Sequence, residues 1–139
     1  MIYEPVIEAE KHNIFVHETD LRGIDGYYRR TKQKAIMLVE KNLPLAEKRY
    51  VIEHELQHHK YTVGTLQNKA TTYYDKLYKE AHEKFIDRKA AERLIPLDEL
   101  KQFIANNPEA SVWEVTEFFW VPERLVRIRI ESLLLEGKL

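Results

Sequence analysis

Apolar positions alternate near the start of the chain and then change to a helical period. Pro5 can open a short helix to about Lys11. NIFVHE then sets Ile14 and Val16 on one face, the period-two pattern of a strand. In LRGIDGYYRR, Gly23 and Gly26 flank Ile24 and Asp25, a turn signal that leads into the β-favouring Tyr27 and Tyr28. After the polar TKQK comes AIMLVE, residues 35–40, a second apolar strand that pairs naturally with 26–30 as a hairpin. The expectation for the N-terminal third is a helix and a small antiparallel sheet.

Beyond this point the period is helical. Asn42 to Pro44 opens a helix through Tyr61, and VGTLQN with Gly64 breaks it. A second long helix is predicted from near Tyr73 to Ile95. Pro96 ends it and can serve as the first turn of a third, with Leu97, Leu100 and Phe103 or Ile104 inward. NNPEA reads as a loop, Ser111 with Glu114 as a capping box before VTEFF, and Val121–Pro122 as the break before PERLVRIRIESLLLEGKL. Tyr73, Tyr74 and Tyr78 follow helical spacing and read as packing residues; Trp113, Phe118 and Phe119 read as core aromatics. LLLEGKL caps the core in this reading, with a dimer contact as the alternative.

The 139 residues, 44% apolar, suffice for one domain with a real core, and no repeat or Gly/Ser linker divides them. The predicted fold is α+β: helix and small antiparallel sheet over 1–43, packed on helices over 44–96 and 97–139. There is no cysteine, so any metal must sit on His, Asp or Glu. Neither a signal peptide nor a membrane span is apparent, which makes a soluble cytoplasmic protein the expectation. With 22 basic against 23 acidic residues, net charge offers nothing to attract nucleic acid or lipid.

VIEHELQHHKY, residues 51–61, sets His54, Glu55 and His58 as H-E-x-x-H on a predicted helix. Positions i and i+4 stack one turn apart, so two imidazoles can converge on one ion at about 2.0–2.1 Å. Glu55 lies about 100° round the helix, where it reaches a water activated by the ion and can act as general base. In a chain with six histidines the pattern arises by chance at roughly a few per cent. Ile52, Leu56 and His59 share another face, which makes His59 a packing or surface residue. A catalytic zinc needs a third protein ligand and an open position for water. KEAHEKFIDRKAAERLIP offers Glu83 and Asp87 one turn apart, Glu83 as ligand and Asp87 to accept from a ligating imidazole; His82 is the rival ligand.

With both segments in view, the chain resembles the ImmA/IrrE family of metallopeptidases, in the small form carried by prophages and integrative elements. The resemblance runs from Gly26-Tyr27-Tyr28 through NLPLAEKRYVIEHELQHH to KAAERLIP. It implies a zincin-like fold, one zinc held by His54, His58 and Glu83, and Glu55 as catalytic acid/base. It also implies a helix-turn-helix repressor as substrate, whose cleavage releases mobile-element or phage genes. Gln57 replaces a frequent glycine of the motif and is expected between the ligands, where it would alter substrate fit. Asp87 replaces an asparagine and suits a partner of a ligating histidine.

Two other readings stand beside the peptidase. A non-catalytic antirepressor would keep the fold as a scaffold for holding the repressor. A DNA-binding regulator would use residues 111–130, whose helix-break-helix rhythm carries Arg124, Arg127 and Arg129. Trp120 stands where such a turn prefers glycine, so direct nucleic-acid contact is not the expectation; the arginines serve better as a docking face for the folded repressor. The strand at 26–30 or 35–40 is expected to hold an extended substrate by backbone pairing. The sequence carries no reading of oligomeric state.

Overall fold

The computed structural model describes residues 3–61 and 73–139. Its elements are α1 (Pro5–Lys11), β1 (Ile14–Thr19), β2 (Gly26–Arg30), β3 (Ala35–Glu40), α2 (Leu45–Tyr61), α3 (Tyr73–Leu94), α4 (Leu97–Asn106), α5 (Val112–Phe119) and α6 (Glu123–Leu135). This is the α+β arrangement the apolar pattern predicts. The break expected at VGTLQN, with Gly64, lies outside the described residues. Among the described residues no helix is long and apolar enough to cross a membrane.

The sheet is mixed and not antiparallel, with strand order β1-β3-β2. β2 and β3 form the expected hairpin, closed by Thr31 N donating to Lys34 O at 2.7 Å. β1 instead pairs with β3 in parallel, Ile14 opposite Ala35 and Thr19 opposite Glu40. Alternation tells which face is buried but is blind to strand direction, which is why the pattern missed this. One consequence is direct: β3 is central, with both edges taken, so residues 35–40 cannot receive another strand. Among the described residues β2 keeps a free edge. Glu40 N donates to Asp25 O at 2.9 Å, and bonded pairs alternate along an antiparallel ladder. Tyr27 and Arg29 therefore bond to β3, while the backbone of Gly26, Tyr28 and Arg30 faces outward.

Among the described residues two apolar clusters hold the fold together. One lies between the sheet, α1 and α2, with Ile14, Met37, Val39, Ile52 and Leu56. The other gathers α4, α5 and α6 around the end of α3, with Leu94, Ile95, Leu100, Val121 and Leu125. Tyr50 packs against both. Two buried arginines satisfy carbonyls that helix ends leave without partners. Arg49 Nε donates to Trp120 O at 3.1 Å, and Arg129 Nε donates to Ile95 O at 2.9 Å. Ser111 and Glu114 form the predicted capping box, and Trp120 takes a left-handed conformation (φ 54°) where α5 ends.

Several aromatic and basic residues sit elsewhere than expected. Phe119 is core, but Trp113 and Phe118 are exposed, as are Tyr73, Tyr74 and Tyr78. Phe118 instead packs its ring on Phe103, centroids 4.6 Å apart. Leu133 of the C-terminal run is buried, while Leu134 and Leu135 are exposed. The three arginines share no surface: Arg129 is buried, Arg124 is bound to Glu47, and Arg127 reaches Glu123. A docking face built on all three is ruled out by the burial of Arg129.

Candidate metal centre

α2 is buried on most of its circumference, and each side meets a different neighbour. Ile52 and Leu56 join the apolar cluster beneath the sheet. Glu53 and Gln57 are fully buried on another side, where Gln57 Nε2 donates to Glu53 Oε1 at 2.7 Å and Tyr3 Oη donates to Oε2 at 2.6 Å. Gln57 thus turns away from the space between the histidines, into a buried bond with Glu53, contrary to the expectation. Burial drives the Glu53 carboxyl pKa up, and the hydrogen bonds from Tyr3 and Gln57 work against that rise.

Toward α3 the helix presents His54 and His58. His54 Nε2 lies 3.2 Å from Glu83 Oε2, and His58 Nε2 lies 3.1 Å from Glu83 Oε1. Among the described residues, His54, His58 and Glu83 form the group whose donor atoms converge, all within 4.8 Å of one another. His54 Nδ1 donates to Asp87 Oδ1 at 2.9 Å. Because a carboxylate only accepts, that bond keeps a proton on Nδ1, so it is the Nε2 lone pair that becomes available to an ion when the proton shared with Glu83 is displaced. Two imidazoles and a carboxylate, with one ring fixed from behind by a second carboxylate, are the donor set that suits a single catalytic zinc. His82 stays outside this group; its ring centroid is 5.8 Å from that of His58 and it stacks beside Phe85.

The electrostatics follow from this convergence. Burial opposes charge on His54, but the hydrogen bonds with Asp87 and Glu83 outweigh it and raise its pKa to about 9. The hydrogen bonds from His54 and His58 hold the Glu83 carboxyl far below the usual carboxylate range. Glu55 is not one of the converging donors; burial pushes its pKa up, and the two neighbouring histidines temper the rise. It faces the start of β2, where a Cβ built on Gly26 would lie 4.0 Å from Glu55 Cγ. His59 sits apart from the ion group, accepting from Tyr28 Oη and lying against the Arg30 guanidinium at 3.0 Å.

Motif reading missed one residue that touches this group. Tyr50 Oη donates to Asp87 Oδ1 at 2.6 Å. The spacing Tyr50, His54, His58 is i, i+4, i+8, one stripe of α2, and that stripe was the available signal. The Peptidase_M78 family model, described as the IrrE N-terminal-like domain, matches residues 9–131. No curated protein matches the chain.

Proposed function

The chain belongs to the ImmA/IrrE family of metallopeptidases, and on that premise we propose that it is a single-zinc endopeptidase that cuts a helix-turn-helix repressor within an extended segment. His54, His58 and Glu83 hold the ion, Asp87 fixes His54, and Glu55 handles the proton. The observation that carries this reading is the convergence of three donors from α2 and α3 on one point. When bound, zinc polarises the scissile carbonyl and brings the pKa of a water toward about 7. Glu55 takes a proton from the attacking water and returns it to the leaving amide nitrogen. Its burial suits both duties, since a raised pKa brings acceptance and release closer together.

The edge formed by the outward backbone of Gly26, Tyr28 and Arg30 starts beside Glu55, at Gly26, and a peptide can pair on it in extended form. Pairing of this kind depends little on side chains, so the repressor is recognised elsewhere as well. That a repressor is the substrate rests on the family resemblance; in this reading the enzyme acts in the cytoplasm and releases mobile-element or phage genes.

The test combines metal analysis with cleavage. The purified protein, incubated with the repressor encoded beside its gene, should carry one zinc and yield two fragments by mass. Glu55→Gln should retain the zinc and lose about 10²–10⁴-fold in turnover, because an amide cannot accept the proton. Zinc-loaded protein that holds the repressor without cutting it would point to a non-catalytic antirepressor. Salt-sensitive binding to DNA duplex without repressor binding would point to a DNA regulator.

A further inference from the structure

The α2 stripe that carries the histidines continues one turn back to Tyr50, and from there to α6. Tyr50 Oη and His54 Nδ1 both donate to the same oxygen, Asp87 Oδ1, at 2.6 and 2.9 Å. With both protons aimed at that oxygen, the 3.4 Å separation of Tyr50 Oη from His54 Nδ1 follows from the shared acceptor. The Tyr50 ring in turn carries the guanidinium of Arg124, whose carbon is 4.7 Å from the ring centroid. Arg124 is itself held by two bonds of 2.9 Å to Glu47, on the same side of α2.

We infer that Tyr50 is a positioning residue for the metal centre and that Arg124 is the clasp that holds it, so that α6 takes part in orienting the His54 imidazole. The inference rests on the reading of His54 as a ligand. Asp87 is partly open to solvent, and a carboxylate with one donor can turn away and exchange that donor for water. With two donors converging on one oxygen, its plane and the imidazole it holds are fixed together. A ring fixed before the ion arrives binds it more tightly, since the ordering is already done. Arg124 contributes by pinning the tyrosine ring from the solvent side, where Glu47 holds the guanidinium over it.

The experiment is zinc affinity, measured by competition with a chromogenic chelator and independent of turnover. Tyr50→Phe keeps the ring, its packing and the Arg124 guanidinium over its face, and removes the hydroxyl that bonds Asp87 and Arg124; affinity should fall about tenfold, at the low end for partners of metal ligands. In an Asp87→Ala background the same change should cost nothing further, because the hydroxyl acts through that carboxylate. A merely structural role would lower affinity equally in both backgrounds. Arg124→Ala should weaken affinity by a smaller factor, while Arg127→Ala, whose guanidinium reaches Glu123, should leave it unchanged. Wild-type affinity in Tyr50→Phe, or equal losses in the two backgrounds, would overturn the role of Tyr50. Wild-type affinity in Arg124→Ala would overturn the clasp. If the unaltered protein takes up no zinc, the metallopeptidase reading fails first and this inference falls with it.

Discussion

An alanine at Gly26 tests how closely the edge strand lies on the helix that carries the motif. The new Cβ would stand 2.5 Å from Val51 Cγ1, whereas carbon atoms in contact keep about 3.5–4.0 Å. Something must move by about 1 Å. Val51 is buried and β-branched within a helix, where one χ1 rotamer dominates, so turning it aside is costly. Gly26 lies outside the left-handed region, so alanine adds no backbone strain and the whole cost is overpacking. That cost is about 1–3 kcal/mol, or a melting temperature lower by roughly 3–12 °C for a domain of this size. Thermal unfolding of Gly26→Ala, Val51→Ala and the double variant reads it directly. Val51→Ala alone loses about 2 kcal/mol of burial, but it removes the clashing methyl, so adding Gly26→Ala to it should cost almost nothing. Because Glu55 Cγ is 4.0 Å from the same point, displacement of β2 should also lower peptidase turnover in the single variant. Unfolding of Gly26→Ala at the wild-type temperature would refute the reasoning, and so would an equal cost in the Val51→Ala background.

Other perturbations address other parts of the molecule. His58→Ala should lose zinc and also the metal-dependent part of the melting temperature, since the ion would join α2 to α3; chelator should then shift the melting temperature of the wild type but not of the variant. A peptide substrate methylated on the backbone nitrogens that pair with β2 should be cut more slowly than its parent, and equal rates would remove the strand edge from the substrate path. Glu40 accepts from Leu21 N at 2.8 Å and Asn42 N at 2.9 Å, and these backbone donors hold its pKa below the ordinary value. A depressed carboxylate stabilises the fold above its unfolded pKa of about 4.3 and ceases to do so as pH falls through the folded value. Glu40→Gln should therefore lower the melting temperature at neutral pH, and the gap should close in acid.

The parts of the fold legible in the sequence were those in which one element acts alone. Helix boundaries at Pro96 and Pro122, the Ser111 capping box and the β2–β3 hairpin follow from local rules and stand where they were expected. The histidines at i and i+4 were legible for the same reason, and the approach of Glu83 needed only one further helix. The rest depended on partners distant in sequence. Direction of β1 is decided by where β3 inserts, which alternation cannot express. Glu53, Gln57 and Arg129 look like surface residues by type, yet each is buried because a specific partner, Tyr3 Oη for Glu53 and the Ile95 carbonyl for Arg129, satisfies it there. Trp113 and Phe118 look like core by type, and the short helix α5 buries Val115 and Phe119 in their place.

A sheet edge left open for a substrate is also open to another molecule of the same protein. β2 is only five residues long and ends in the exposed pair Arg29 and Arg30. Short length and adjacent positive charge are features that discourage two such edges from zipping together. An incoming peptide that is neutral or acidic at those positions meets no such repulsion. Colloidal behaviour and peptide access are thus written into the same few residues, and neutralising both arginines would favour clumping of the protein with itself over capture of its target.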